Sequence, residues 1–416
     1  MAETRLLSPL HCWLRSPLSL VARPGSRRLL HYSAPRRADQ AARPPPPPLP
    51  PPYKILFCGT DTFACASLQA LIDRPDLCDH LHVLTPPDTK QGWGAKRMKI
   101  APIKQLALHH GLPHDHVPPS GLDDYQLPAI LRSPASILLT CSFGHLIPTS
   151  LLASFPSPSQ RLNLHPSLLP KLRGAAPLQW TIARRLDEGG VTVQTLQDGR
   201  FDAGRILGQQ RLPIPGDATY LDLEKTMAQR GAELLVDVLS DLPGAERRGW
   251  DQDEAEVSFA FKVKRSNLEV RWEKWSARDI EARLRGFGYL YPLSTTLHPA
   301  TPTFPPLRTL FESCSVLPSS DLGARDPHVF SLLSTSPPGT ATYSSVLNSL
   351  VITTTKDAQT PSSSGGNEFL LVDRIKAQGK KTKDALEWWR GFRDRADDQG
   401  LVSFRFDGIA HAEGRK

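Results

Sequence analysis

The 416 residues contain no Cys-x-x-Cys pair, no histidine spacing of the kind that holds zinc, and no uninterrupted apolar run of 18 residues. The six cysteines, at 12, 58, 65, 78, 141 and 314, therefore read as free thiols of a reducing compartment. No metal is expected. The missing apolar run excludes a membrane-spanning helix, so no stable membrane association is expected either. Glycine is scarce where a dinucleotide site needs it: Gly59 follows the first apolar run, but a second and third glycine do not follow it. The nicotinamide-binding fingerprint is thereby excluded. Acids are nearly absent from residues 1–43, where eight arginines face only Glu3 and Asp39, a net +6 of the chain's +8. The body is close to neutral, and any nucleic-acid argument has to come from local patches.

Proline is abundant, 40 residues in all, and the hydrophobic fraction of 39% is low for a wholly packed chain. Two segments account for much of this. Residues 1–43, rich in Arg, Ser and Leu, have the composition of a mitochondrial presequence, with a disordered basic tail as the alternative. Residues 44–52 are proline with one leucine and read as an extended polyproline II spacer.

From Tyr53 the pattern is that of an α/β domain. Lys54–Cys58 reads as a strand, with Gly59 to Thr62 as the turn and Leu68, Leu71 and Ile72 at helical spacing after it. Further strands are expected at Leu81–Leu84 and Ser136–Phe143, and helices around Ile103 to Ala107 and after Pro177. A Thr219-x-x-Asp222 cap starts a helix running to Leu239. This alternation predicts a parallel, Rossmann-like sheet covered by helices on both faces, ending near residue 249. Residues 250–262 read as a linker. Beyond it a smaller, mostly β domain over 263–416 is expected, with strands at Phe259–Val263, Leu268–Trp272, Leu293–Leu297, Val346–Thr354 and Phe369–Ile375 and a helix from Ser276 to Arg285. Pro299–Pro306 with its surroundings and Asp357–Asn367 read as loop insertions.

The stretch from Arg161 to Pro177 is the most informative. In an extended segment Asn163 and His165 face the same way, opposite to Leu162 and Leu164, and Pro166 favours an extended His165. A carboxamide donor and an imidazole then emerge together where ligands bind in open α/β sheets. Asp202 lies in a turn between Gln197 and Gly204, 37 residues after His165, a distance that suits one crossover helix and a return strand. The three residues together could supply an oxyanion donor, a proton carrier and a group that orients the imidazole. A strand end with satisfied polar side chains would read the same at this stage.

These residues resemble the 10-formyltetrahydrofolate-dependent formyltransferases. Asn163-x-His165-x-Ser167, continuing to Pro170, and the later Asp202 carry the likeness, and Arg173-Gly-Ala-Ala-Pro177 is similar to the methionyl-tRNA formyltransferases within that superfamily. The resemblance also covers Phe57 to Thr60, Phe143 to Pro148, Ala260 to Lys262 leading to Trp272, and Gln378 to Lys381. It implies 10-formyltetrahydrofolate as formyl donor and initiator methionyl-tRNA as acceptor. Asn163, His165 and Asp202 would be catalytic, and Phe143, Gly144, Ser167, Leu168, Leu169 and Pro170 would line the folate pocket. It further implies an OB-like second domain, tRNA contacts at Lys90, Trp93, Lys96, Arg97, Lys99, Arg173, Lys380 and Lys381, and a mitochondrial matrix enzyme, expected to be a monomer. From the residues alone, the basic loop around Trp93 and the cluster at Lys380 and Lys381 fit either solvated surface or an RNA contact. A formyltransferase for glycinamide ribonucleotide or an amino sugar would share the three catalytic residues without needing the second domain. An RNA-binding protein on a retired scaffold would need none of them.

Overall fold

The computed structural model describes residues 50–91, 97–359 and 368–407. The leader at 1–43, most of the polyproline spacer, Trp93 and Lys96 lie outside the described residues, as does part of the insertion expected at Asp357–Asn367. The same holds for the side chain of Arg97.

The first sheet begins with β1 (Tyr53–Gly59), whose alternate residues feed two cores. Ile55 and Phe57 join one buried cluster, Leu56 and Cys58 the other. Burial on both faces is why this strand reads as a continuous apolar run and not as an alternating one. The following strands are β2 (Cys78–Thr85), the hairpin strands β3 (Thr89–Gln91) and β4 (Arg97–Lys99), β5 (His114–His116), β6 (Ser136–Cys141), β7 (Arg161–His165), β8 (Glu188–Thr195) and β9 (Ile206–Pro213). Their order in the sheet is β5-β2-β1-β6-β7-β8-β9, with β3 and β4 paired apart as a two-stranded ribbon.

Helices α1 (Thr62–Ile72), α2 (Pro102–His109), α3 (Thr149–Leu152), α4 (Pro177–Ala183), α5 (Tyr220–Ser240) and α6 (Leu242–Arg248) accompany the sheet. Asp61 caps α1 through the Ala64 N–H, and on α5 Thr219 and Asp222 close the capping box that the spacing of those two residues predicts. The apolar faces of α1 and α5 meet over Leu164 and the cluster around Phe57 and Leu235.

The sheet is not wholly parallel. The first five strands in its order run parallel, but β8 pairs antiparallel with β7, and β9 with β8. The cause is the connection after His165. Helix α4 has seven residues and spans only about 10 Å, so the chain re-enters the sheet at the end it left. A bulge between Val193 and Gln194 then redirects Gln194.

The C-terminal part opens with α7 (Ala277–Phe287), begun by a Ser276–Asp279 capping box, and continues through β10 (Leu293–His298), β11 (Leu307–Pro318), α8 (Ser319–Arg325) and α9 (Pro327–Leu333). It ends with β12 (Thr340–Ser344), β13 (Ser349–Thr353), β14 (Glu368–Ala377), β15 (Lys383–Asp384), α10 (Ala385–Phe392) and β16 (Val402–Arg405). Strands β11-β10-β16-β12-β13-β14 pair in turn and β14 returns to β11, which closes a six-stranded antiparallel barrel of OB-like form. Trp272, Phe311 and Phe404 fill it, and the Trp272 indole N–H donates to Thr295 Oγ1 at 2.9 Å.

Two expected strands are absent as regular strands. Phe259–Val263 makes a single bridge, from Phe259 to Arg173, and Leu268–Trp272 makes one from Glu269 to Ser294. Their apolar residues serve other ends: Ala260 is buried under a loop, and Trp272 plugs the barrel. Part of the region after Pro299 that reads as loop is helical, since α8 and α9 lie within Ser319–Leu333. No helix among the described residues is long and apolar enough to cross a membrane.

Candidate active site

Asn163 and His165 stand two residues apart on β7 and face the same way, as strand geometry requires. Asp202 meets both from the turn that joins β8 to β9. Its Oδ1 accepts from Asn163 Nδ2 at 3.2 Å and from Gln194 Nε2 at 3.3 Å, and His165 Nδ1 lies 3.5 Å away. Its Oδ2 accepts the Gly174 backbone N–H at 2.8 Å. Asp202 has φ of +52°, a left-handed conformation that few side chains adopt and that aspartate tolerates.

Two neighbours fix the states of these groups. Thr140 Oγ1 donates to Asn163 Oδ1 at 2.7 Å, and the Asp202 carboxylate can only accept, so the amide nitrogen faces Asp202. Its second N–H has no acceptor among the described residues, and Asn163 borders the cavity. The Leu172 carbonyl lies 3.0 Å from His165 Nε2 and can only accept, so Nε2 carries the hydrogen. Nδ1 and the Asp202 carboxylate are then left to share a proton or repel each other. Leu172 turns its carbonyl to this task with φ of +60°.

Around this group lies a cavity of about 590 Å³, lined by both apolar and polar side chains. Phe143 and Gly144 line it, with His145, Leu146 and Ile147 beyond them. Asp61 also borders it; burial pushes its carboxyl above the ordinary aspartate range, although the Ala64 N–H pulls the other way.

Ser167, Leu168, Leu169 and Pro170 do not line this cavity, contrary to the expectation from the sequence. Ser167 and Leu169 are buried, and the segment buttresses β8. Ser167 Oγ donates to the Lys171 carbonyl, the Ser167 carbonyl accepts from Thr192 Oγ1, and the Leu169 N–H donates to the same hydroxyl. Leu168 packs where a side chain on Gly190 would stand. Arg173, expected at a tRNA contact, borders the cavity but is largely buried. Its side chain is 4% exposed, and its guanidinium is consumed by Gln252 Oε1 at 2.7 and 3.0 Å and by the Glu254 carboxylate at 3.1 Å. That contact holds the Glu254 carboxyl below its usual range.

Lys90 and Lys99 are exposed on the β3–β4 ribbon, and Lys380 and Lys381 on the turn after β14. None of the four borders the cavity. The most consequential residue missing from the sequence reading is Gln252, inside the acidic stretch taken for a linker. Its amide nitrogen reaches the Asp202 and Gly204 carbonyls and Gln194 Oε1 at 2.8 to 3.0 Å, so it braces the turn that carries Asp202. No spacing rule marks such a residue. Phe259 and Phe261 also border the cavity; they were visible only as two aromatics flanking a small residue.

The comparisons agree with this architecture. A family model described as formyl transferase matches residues 53–239. The methionyl-tRNA formyltransferase of Trichlorobacter lovleyi is 36% identical over 234 residues, which cover 56% of this chain and 72% of that protein. The mitochondrial methionyl-tRNA formyltransferase of Homo sapiens is 32% identical over 249 residues, 59% of each chain. Among solved structures, an N-formyltransferase from Helicobacter canadensis in complex with folinic acid and dTDP-3-aminofucose superposes with a TM-score of 0.50, covering 77% of this chain and 99% of that one. At 16% identity that likeness shows the fold alone.

Proposed function

We infer the function of this site from one premise: the chain belongs to the methionyl-tRNA formyltransferase family. It transfers a formyl group from a folate donor to the α-amine of methionine carried on initiator tRNA. The observation that carries the chemistry is the convergence of Asn163, His165 and the Gly174 N–H on Asp202 at one side of the cavity.

The donor is 10-formyltetrahydrofolate, which supplies a formyl group on N10. The apolar residues Phe143, Leu146 and Ile147 suit its flat ring system, and Asn163 borders the same cavity. When the amine attacks the formyl carbon, negative charge grows on the formyl oxygen, and the unengaged N–H of Asn163 is the donor aimed at it. Asp202 takes the amine proton, directly or through one water, with His165 Nδ1 standing 3.5 Å from its Oδ1 to support it. His165 is kept in orientation by the Leu172 carbonyl.

The catalytic domain spans 53–249 and the tRNA-binding barrel 263–416, with 250–262 joining them while also completing the site. Lys90 and Lys99, with Trp93, Lys96 and Arg97, follow the acceptor arm, and Lys380 and Lys381 follow phosphates further along the tRNA. The enzyme acts as a monomer in the mitochondrial matrix, directed there by residues 1–43, and associates stably with no membrane. Its relatives named mitochondrial support that address.

The test is formylation by the purified protein of charged initiator tRNA, with glycinamide ribonucleotide and an amino sugar as rival acceptors. Formyl-methionine released from the tRNA by alkaline hydrolysis, and lost in H165A, supports the reading. Formylation of only a small amine would overturn the acceptor, and no transfer at all would overturn the activity.

A further inference from the structure

The rim of the cavity carries two phenyl rings whose exposure the transfer chemistry does not explain. Phe259 and Phe261 stack with centroids 5.4 Å apart and planes 12° apart, yet they are 48% and 68% exposed. Both border the same cavity as His165 and Asp202. A stacked apolar pair left open to water at the mouth of a site calls for an occupant with a flat face.

The pair is held rigidly relative to the catalytic carboxylate. Ala260 between the rings is fully buried; its N–H donates to the Arg173 carbonyl and its own carbonyl accepts the Ala176 N–H. The Ser258 carbonyl accepts the Arg173 N–H. Two side chains, one on α4 and one just after it, complete the clamp: Trp180 Nε1 donates to the Phe261 carbonyl and Arg184 Nη2 to the Phe259 carbonyl, each at 2.7 Å. The loop thus tied down is the one whose Gly174 N–H binds Asp202. Five hydrogen bonds therefore fix the backbone under the rings, and the rings share one frame with the reacting centre. Lys262, next in sequence, is exposed and has no acidic partner among the described residues.

We propose that Phe259 and Phe261 form a stacking platform for the 3′-terminal adenine of the charged tRNA, with Lys262 beside them for the adjoining phosphate. The inference rests on the methionyl-tRNA reading above. The amine that must reach Asp202 is attached through an ester to the ribose of that adenosine, so its base has to lie at the cavity's mouth. Unpaired bases are held by aromatic faces whatever their sequence, and a neighbouring cation adds to the hold. A folate ring is the rival occupant. The platform is a positioning device: it fixes where the amine arrives and does not touch the bond that forms.

The experiment uses the full chain and two competitors of charged initiator tRNA: 3′-deoxy-3′-(methionylamino)adenosine, and methioninamide, which lacks the nucleoside. In the wild-type enzyme the adenosine compound competes more tightly. In F259A/F261A its inhibition constant, and the KM for charged tRNA, should rise by about 5- to 150-fold, the range measured for losing one stacked base. The inhibition constant of methioninamide and the KM for the folate should not move, and F261W should restore tight competition. An unchanged constant for the adenosine compound overturns the platform. Equal weakening of both competitors assigns the rings to the methionine side chain, and a raised folate KM assigns them to the donor; either overturns the proposal. If wild-type enzyme fails to formylate charged tRNA at all, the functional reading falls and the platform falls with it. If it does formylate and only the ring test fails, that reading stands.

Discussion

The backbone N–H of Gly174 donates to Asp202 Oδ2 at 2.8 Å, and through this bond a loop after β7 and a turn after β8 form one site. The loop can lie so close only because residue 174 has no side chain. Its φ is +117°, and a Cβ built there would stand 2.9 Å from the Ala260 carbonyl oxygen.

G174A should therefore cost about 1–3 kcal/mol of stability from backbone strain. It should also cost about 10²-fold in kcat, because small displacements of a catalytic group are expensive. Thermal melts and steady-state kinetics check this, and a variant with wild-type kcat would show that the contact is dispensable.

Gln252 is the second tie. Replacing it with leucine leaves the Asp202 and Gly204 carbonyls without their donor and removes one acceptor from the buried Arg173 guanidinium. The expected cost is about 1–3 kcal/mol for the stranded polar groups, and more where the charge is involved. Because the brace acts on the turn bearing Asp202, kcat should fall more than the folate KM rises. Equal changes in both would assign Gln252 to binding.

Much of this arrangement was legible in the sequence, and the limits have physical causes. The buried β1, the capped α5 and the pairing of Asn163 with His165 follow from local periodicity, which one strand or helix sets by itself. Asp202 was findable because a turn with glycines marks it. Gln252 and Thr140 were not, since their roles depend on contacts between segments far apart in sequence. Ser167 to Pro170 is a different case. The motif is real, but its side chains support β8 while the neighbouring backbone serves the site.

Arg185 clamps the catalytic part to the C-terminal part. It gives two hydrogen bonds of 2.7 Å to the Asp357 carboxylate, which is 5% exposed, and one of 3.3 Å to Asp279. R185A should destabilise by about 1.5–3 kcal/mol, the range for lost hydrogen bonds to a charged group, because Arg278 still lies 3.9 Å from the Asp357 carboxylate. R185K should recover only part of this, since a lysine cannot make the fork. Urea unfolding distinguishes the outcomes, and a loss under 1 kcal/mol in R185A would mean that water replaces the contact.

The thiols give a prediction for pH. Burial, with the nearby Asp61 charge, pushes the Cys65 thiol up to about 11, and burial pushes Cys78 up to about 12, against 9.0 for a free group. Both stay protonated in the fold at neutral pH, so alkylation by iodoacetamide at pH 8 should be slow until the protein unfolds. The unfolded thiols ionise first as pH rises. Stability should therefore be intact below about pH 9 and decline through about 11 and 12. Rapid native labelling of either thiol at pH 8 would contradict this.

The central claim is that Asp202 serves the transfer itself, and D202N tests it most directly. Asparagine keeps the size, tolerates the left-handed backbone and can still accept from Gly174, but it cannot share a proton with His165. Single-turnover formylation of charged initiator tRNA, with folate and tRNA both saturating, isolates the chemical step. The account predicts a rate lower by about 10²- to 10³-fold or more, the range for losing one such electrostatic group, with unchanged folate affinity. A D202N enzyme that transfers formyl at the wild-type rate would contradict it.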